Sequence, residues 1–523
     1  MKNRVLARLR TPRFHFWFAA GCFALVFCVD LAFLARYAAS MVDSDMTGET
    51  TLLANLMLKE GRFLVPDYYY SSELKVFREH LLYCVGLLLF PGNWTLVRIL
   101  CQSALLALAT GGCLYMARSF RWSWASSLLL AAAYLCPFTF WQINLITFGG
   151  HYIAHFGLMM VSLGTLVRLS RGVKKHGWLL WALLLMMALI AGINGVRLLM
   201  NFYLPLSLAA AVLYAMEQGT FQRRFARGAW AATLINAAGY LVNSRVLAKM
   251  YSFETMNGQS IVDLRLGRFG EVFSMLLGMF GYQTTAWTVR ESLFSPQGLG
   301  ALMGLATMAL VITAAVYLLR HQQRLDGMEK ALLWYLLCAV AVSECVYSLT
   351  DHTINECYWI MVVPFAFMAL GMAMKRYSFR FAWGRAAVTG VLCLCLAGSS
   401  FSAVYNYAHK PFRANDRHRQ AAQWLVDHGY DKGYASYYHA NVLTELSSGQ
   451  LETWAMLTYA DDEAHPFLQT MDHLQEAPKG RVFALVAAAE EPYFETFLQN
   501  HTFQSVELVF SDDAFLIYEL QTE

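Results

Sequence analysis

Hydropathy along this chain rises and falls in long waves. Apolar runs of about 20 residues, the length a helix needs to cross a hydrocarbon core, recur at 14–39, 94–117, 123–141, 150–170, 177–194, 199–216, 228–248, 297–319, 331–349, 357–374 and 385–405. They predict a polytopic α-helical membrane protein of about 11 transmembrane helices. A further apolar piece, His80–Phe90, is only half a span long and predicts an interfacial or re-entrant helix, preceded by the amphipathic stretch Thr50–Gly61. Beyond residue 405 the waves stop. Ala421–His428 and Pro492–Asn500 have helical periodicity, whereas Arg481–Ala488, Val506–Phe510 and Phe515–Tyr518 read as strands. The expected division is a membrane part, 1–405, with large loops at 40–93 and 249–296, and a small soluble α/β domain, 406–523.

Composition fits that reading. Hydrophobic residues make up 57% of the chain, mean hydropathy is +0.40, and only 15% of residues are charged, against roughly a quarter in soluble domains. The net charge of +4 says less than where the basic residues fall. Clusters at Arg118/Arg121, Arg168–Lys175, Arg223–Arg227, Arg320–Lys330 and Lys375–Arg385 all land on one side when every long run is a span. The positive-inside rule makes that side the cytoplasm, with the N-terminus cytoplasmic and the C-terminal domain extracytoplasmic. Counting His80–Phe90 as a span would turn the later clusters outward, so an odd number of spans is expected.

The basic N-terminus, Lys2 to Arg13, precedes a run long enough to span and without a small-residue cleavage site, which predicts an uncleaved first helix. The eleven cysteines lie between Cys22 and Cys395, nearly all in apolar runs. Thiols there behave as small hydrophobes, and neither a disulfide framework nor a thiolate metal site is expected. Nothing in the chain suits nucleic acid.

Candidate chemistry starts where the first apolar run ends. Asp43-Ser-Asp45-Met-Thr-Gly-Glu49 places three carboxylates at a membrane surface. A carboxylate there can act as general base on an acceptor hydroxyl, hold a divalent cation (Mg or Mn) against a phosphate, or simply mark the water boundary. The chain then runs through the amphipathic stretch closed by Gly61 into Pro66-Asp-Tyr68-Tyr69-Tyr70, where tyrosines suit a lipid–water interface. Glu73, Lys75, Arg78, Glu79 and His80 follow, a group able to neutralise a lipid phosphate or to snorkel at an ordinary interface.

Further along, Arg197 lies at an external helix junction, where a guanidinium can grip phosphate bidentately or serve as an interfacial anchor. The turn Asp351-His352-Thr-Ile-Asn355-Glu356-Cys-Tyr358 suits contact with a donor phosphate or sugar. His151 and His155, one helical turn apart, suit a polar cavity wall better than a metal site. The amphipathic part Phe269–Phe280 of the loop carrying Arg265, Arg268, Arg290 and Glu291 suits a lid or a bilayer-resting segment. Asp30 and Glu344 fall within spans, where packing against a basic partner is the default expectation.

The stretch DSDMTGETTLLANLMLKEGRFLVPDYYYSSEL, with the helix before it and the short helix after it, resembles the GT-C superfamily of membrane glycosyltransferases. Its members include protein O-mannosyltransferases and aminoarabinose transferases. It is similar above all to uncharacterised Gram-positive multispanning proteins with a "DSD…LLA…EG…WYYSTEL" pattern. The resemblance implies an external active site in a bacterial plasma membrane and a polyprenyl-phosphate sugar donor. It also implies a glycan, lipid or protein acceptor in the cell envelope and a first-loop aspartate, Asp45 or Asp43, as base. Glu49, Tyr69, Tyr70, Glu73, Lys75, Arg78, His80, His151, Arg197, His352 and Tyr358 are the expected substrate-binding residues.

No Asp-Glu pair is present and Glu73-Leu-Lys stands where mannosyltransferases carry Lys-Pro-Pro, so donor headgroup and acceptor do not carry over. Two other readings compete. One is a transporter of lipid-linked glycan, disfavoured by the lack of a visible repeat. The other is a non-catalytic envelope assembly protein.

Overall fold

The structure, a computed structural model, describes residues 11–172, 177–253, 266–281, 292–350, 356–379, 383–409 and 414–522. Among these, eight helices are long and apolar enough to cross a membrane: Pro12–Tyr37, Trp94–Ser119, Tyr152–Ser170, Leu199–Met216, Pro296–Arg320, Gly327–Leu349, Tyr358–Arg376 and Gly384–His409. The remaining predicted runs are helical with modifications. Gly177–Ile193 is apolar but has 17 residues, and Thr220–Arg245 is long but opens with three arginines. Run 123–141 is a broken helix, Trp124–Leu135 followed by Phe140–Phe148 at 100° to it. Pro137 in the break cannot donate into a helical ladder and disfavours helix at Cys136. Thr139 then starts the second piece by accepting the Gln142 N–H at 2.9 Å. With that pair counted once, there are nine candidate spans. His80–Leu89 is a ten-residue helix, half a bilayer long, as its short apolar run predicts.

The chain divides into two compact units. The first joins 1–33, 106–241 and 257–409; the second joins 34–105, 242–256 and 410–523. In the second, a small sheet takes one strand from each stretch. β1 (Tyr68–Tyr70) pairs in parallel with β2 (Ser252–Phe253), and antiparallel with β5 (Gln469–Thr470), so that Tyr69 faces both Ser252 and Gln469.

The tail carries the larger sheet of β3 (Lys432–Ser436), β4 (Glu452–Met456), β6 (Arg481–Ala487), β7 (Ser505–Ser511) and β8 (Phe515–Gln521), in the order β4-β3-β6-β8-β7. β4, β3 and β6 run parallel, and the β7–β8 hairpin adds antiparallel to β6. β6 is apolar without interruption because both its faces are covered. Phe483 and Leu485 join one core with Leu425, Leu443 and Ile517, while Val482, Ala484 and Val486 join another with Phe494 and Phe497. The crossover between β3 and β4 is the helix Tyr437–Leu446, called here the tail helix.

Candidate active site

Asp43 is still in extended backbone, and its carboxylate caps the short helix Ser44–Thr47 by accepting the Met46 N–H at 2.6 Å. A π-helical turn, Gly48–Leu52, then leads into the helix Leu53–Glu60, which stops at Gly61 in the left-handed conformation, φ 64°. Glycine takes that φ without a Cβ penalty, which is why the amphipathic stretch ends there. Solvent reaches both Asp43 and Asp45. Even so, the protein walling in Asp43 disfavours its charge, and repulsion from Asp45 adds to this; together they raise its pKa to about 7. Asp43 thus combines an exposed side chain with surroundings that disfavour its charge. The Asp45 pKa is also raised, first by burial and then by Glu49, against opposing pulls from Tyr437 and Lys75.

The tail helix holds this turn through side chains at i, i+4 and i+8, which share one helical face. Tyr437 donates its phenolic hydrogen to Asp45, and its carbonyl accepts from Ser44. The Asn441 amide donates to the Ser44 carbonyl at 3.3 Å and to Leu468 O at 3.1 Å. Glu445 accepts from Thr47 at 2.7 Å and from Arg98 Nε and Nη2 at 2.5 Å each. Arg98 and Glu445 are 2% and 1% exposed, a fully desolvated bidentate pair. Tyr437 is also buried, with His465 edge-on at 4.5 Å. Burial and the neighbouring Asp45 raise its phenol pKa, so it keeps the proton it donates.

The predicted cations of the first loop are engaged by acids. Lys75 pairs with Glu49, both nearly buried, and Arg78 makes a bidentate pair with Glu79 at 2.8 and 3.1 Å. Tyr69 is half-buried in the small sheet. The Tyr70 hydroxyl accepts from Val65 N–H at 2.9 Å, and Tyr68 donates to Gly48 O at 2.8 Å, tying the aromatic segment to the acidic turn. Glu73 is 8% exposed and His80 has no exposed surface; burial pushes the His80 imidazole down to about 4, leaving it neutral.

In the first unit, the half-buried Arg197 guanidinium lies over the rings of Tyr152 and Tyr358, at 5.1 and 5.7 Å. Tyr358 stacks on Tyr347 at 4.9 Å, and Arg268 Nε donates to Tyr347 O at 3.0 Å. Two predicted residues, Arg197 and Tyr358, thus meet there. The His151 side chain, His352 with the rest of 351–355, Arg265, Arg290 and Glu291 lie outside the described residues. Glu344 and Asp30 meet no basic partner among the described residues: Glu344 accepts from Ser348 at 3.5 Å and Asp30 from Thr147 at 3.2 Å.

Arg98, Tyr437, Asn441 and Glu445 were not among the predicted residues. Arg98 carried a signal: it is the one Asp, Glu, Lys or Arg in the apolar run 94–117, where an isolated charge marks a pairing or a site. The three tail residues carried none, since their partners lie hundreds of positions away.

Among solved structures, the chain is similar to ArnT from Cupriavidus metallidurans in the apo state. The TM-score is 0.57 over 96% of this chain and 98% of that one, at 13% sequence identity. At that identity the likeness is one of fold. No family model and no curated protein matches the chain.

Proposed function

We propose that this protein is a membrane glycosyltransferase that moves a sugar from a polyprenyl-phosphate donor to an extracytoplasmic acceptor hydroxyl. The observation that carries the reading is the Asp43–Asp45 turn. Two solvent-reached carboxylates sit two residues apart, on a fold shared with ArnT, an aminoarabinose transferase, and their environments set them to different tasks. Asp43, with a pKa raised to about 7, suits a general base working near neutrality. Asp45, held by the Tyr437 hydroxyl, suits a carboxylate that stays ionised and offsets positive charge developing at the anomeric carbon.

In the proposed step, Asp43 takes the proton of the acceptor hydroxyl as the oxygen attacks the anomeric carbon. The bond from that carbon to the phosphate oxygen breaks, and its electron pair leaves with the lipid phosphate. Arg197, whose guanidinium lies over the rings of Tyr152 and Tyr358, is a separate proposed substrate-binding residue. Lys75 and Arg78, each already paired, hold the loop that shapes the site. Among the described residues no three His, Cys, Asp or Glu side chains are grouped to hold a metal ion, and no step is routed through Mg or Mn. The proposed location is a cell membrane, with the tail outside the cytoplasm.

The test is release of polyprenyl phosphate from radiolabelled polyprenyl-phosphate sugars by the detergent-purified protein. Wild type, Asp43→Asn and Asp45→Asn are compared in the presence of envelope acceptors. Sugar-dependent release lost in Asp43→Asn supports the assignment; equal release by all three proteins removes this turn from catalysis.

A further inference from the structure

At one membrane boundary of the first unit, four arginines gather without an acid. The helices Trp94–Ser119 and Tyr152–Ser170 end there beside the start of Thr220–Arg245, and the positive-inside rule makes that boundary cytoplasmic. Arg168 donates from Nε to Ser119 Oγ at 2.9 Å, and Arg171 from Nη1 to Ser119 O at 3.0 Å. Two guanidinium groups thus converge on one buried residue. The Arg224 guanidinium lies against Gly172, in the space that a Cβ there would need. Arg121, two residues beyond Ser119, holds left-handed backbone at φ 59°, which is uncommon for a residue with a Cβ.

The acids at this boundary are engaged elsewhere. Glu217 pairs with Lys330, and Glu329 with Arg376 at 2.5 Å. Asp326 lies in electrostatic reach of Arg171, but it caps the helix Gly327–Leu349 and stands 3.9 Å from Arg376. Among the described residues Arg121, Arg168, Arg171 and Arg224 form no ion pair with a carboxylate. Burial first, and then the like charges of Arg121 and Arg168, push the Arg171 pKa down, and its Nε is buried without a hydrogen-bond partner. Basic residues that only orient a chain carry their charges out into water. Here they are held together, with one buried nitrogen unfilled.

We propose that Arg121, Arg168, Arg171 and Arg224 hold the phosphate of an anionic phospholipid headgroup. Guanidinium groups grip phosphate oxygens bidentately. The setting selects a lipid over a soluble phosphate, because the cluster lies at the ends of spanning helices. Trp124 flanks it, 53% exposed, with the Arg118 guanidinium 4.9 Å over its ring, and exposed tryptophan at a helix end sits at headgroup level. A zwitterionic lipid would bring its own cation to the cluster. An anionic one does not, and the cytoplasmic leaflet supplies it. The bound headgroup ties three helices together at their ends.

The experiment needs no turnover, so it stands apart from the proposed transferase reaction. Full-length protein in dodecylmaltoside micelles is melted with increasing mole fractions of phosphatidylglycerol or phosphatidylcholine, and with inorganic phosphate in phosphatidylcholine micelles. Wild type is expected to show a saturable rise in Tm of a few degrees with phosphatidylglycerol alone. Arg171→Gln and Arg224→Gln each raise the phosphatidylglycerol fraction for half the effect about tenfold, the loss of one charge-assisted contact. Arg320→Gln removes an exposed charge at the same boundary but outside the cluster, and leaves that fraction unchanged. If Arg171→Gln does not fold, the exposed Arg224→Gln carries the test. Wild-type melting that treats both lipids alike overturns the proposal. So does a loss in Arg320→Gln equal to that in Arg224→Gln, which means diffuse attraction. A rise reproduced by inorganic phosphate means a free anion and overturns it too.

Discussion

Tyr437 donates a hydrogen bond to the Asp45 carboxylate across 392 positions of sequence. A hydrogen bond to the charged form lowers a carboxyl pKa, so this contact opposes the upward push that burial gives Asp45. Tyr437→Phe removes it, and the Asp45 pKa rises further. The expected outcome is an acid limb of the pH–rate profile displaced to higher pH. Turnover at neutral pH should fall about tenfold or more, the worth of one hydrogen bond to an ionised group. A merely structural tyrosine would lower the rate at all pH values and leave the profile in place.

Arg98 and Glu445 make the second prediction. Their pair is almost fully buried, and Glu445 also holds Thr47. Glu445→Ala strands a desolvated guanidinium, with an expected loss of about 3–5 kcal/mol. The double change Arg98→Met/Glu445→Leu, which removes both charges and keeps volume, should recover most of that loss. Thermal unfolding of the four proteins of the cycle reads the coupling. A double variant no more stable than Glu445→Ala would mean that the pair contributes shape and not charge.

How much of this was legible beforehand follows from the range of each interaction. Each apolar run became a helix, because burial in lipid or in protein selects for a composition readable in any window of about 20 residues. The break at Pro137 was invisible to that averaging, although the proline itself was in view. Strand β6 was legible as an unbroken apolar run, and the end at Gly61 as a helix stop. The acidic turn was legible as a cluster of carboxylates, but not its environment. Asp45 meets Tyr437, and Thr47 meets Glu445, through separations of 392 and 398 residues that no local period encodes. No basic partner of Asp30 lies among the described residues: a rule about spans supplies the need for compensation, not its source.

Gly48 gives a third prediction. A Cβ there would stand 2.6 Å from Leu468 Cβ and 3.2 Å from the Asn441 amide nitrogen. Leu468 cannot retreat easily. It is in the left-handed region at φ 57°, and its N–H is bound to Tyr69 O at 2.9 Å. Gly48→Ala is expected to cost about 1–3 kcal/mol by overpacking and to lower turnover, because the displaced Asn441 holds the Ser44 carbonyl next to Asp45. Unchanged melting and unchanged turnover would place slack where the structure shows contact.

The last prediction separates the proposed catalytic role of Asp43 from its effect on stability. Its pKa is raised to about 7 from an ordinary 3.8 by burial and by Asp45. The folded state therefore binds its proton more tightly than the unfolded state does. That preference favours folding below the unfolded pKa and is lost as pH rises through about 7. Asp43→Asn cannot ionise, yet its side-chain oxygen can still accept the Met46 N–H and cap the helix. The variant should match wild type in Tm at low pH and exceed it above neutrality, where wild type must keep a charge in surroundings that disfavour it. Activity should go the other way. Wild-type turnover falls as pH drops below about 7, while Asp43→Asn is nearly inactive throughout. A Tm difference that is flat with pH would place the Asp43 pKa near its ordinary value and remove the physical basis for its role as base.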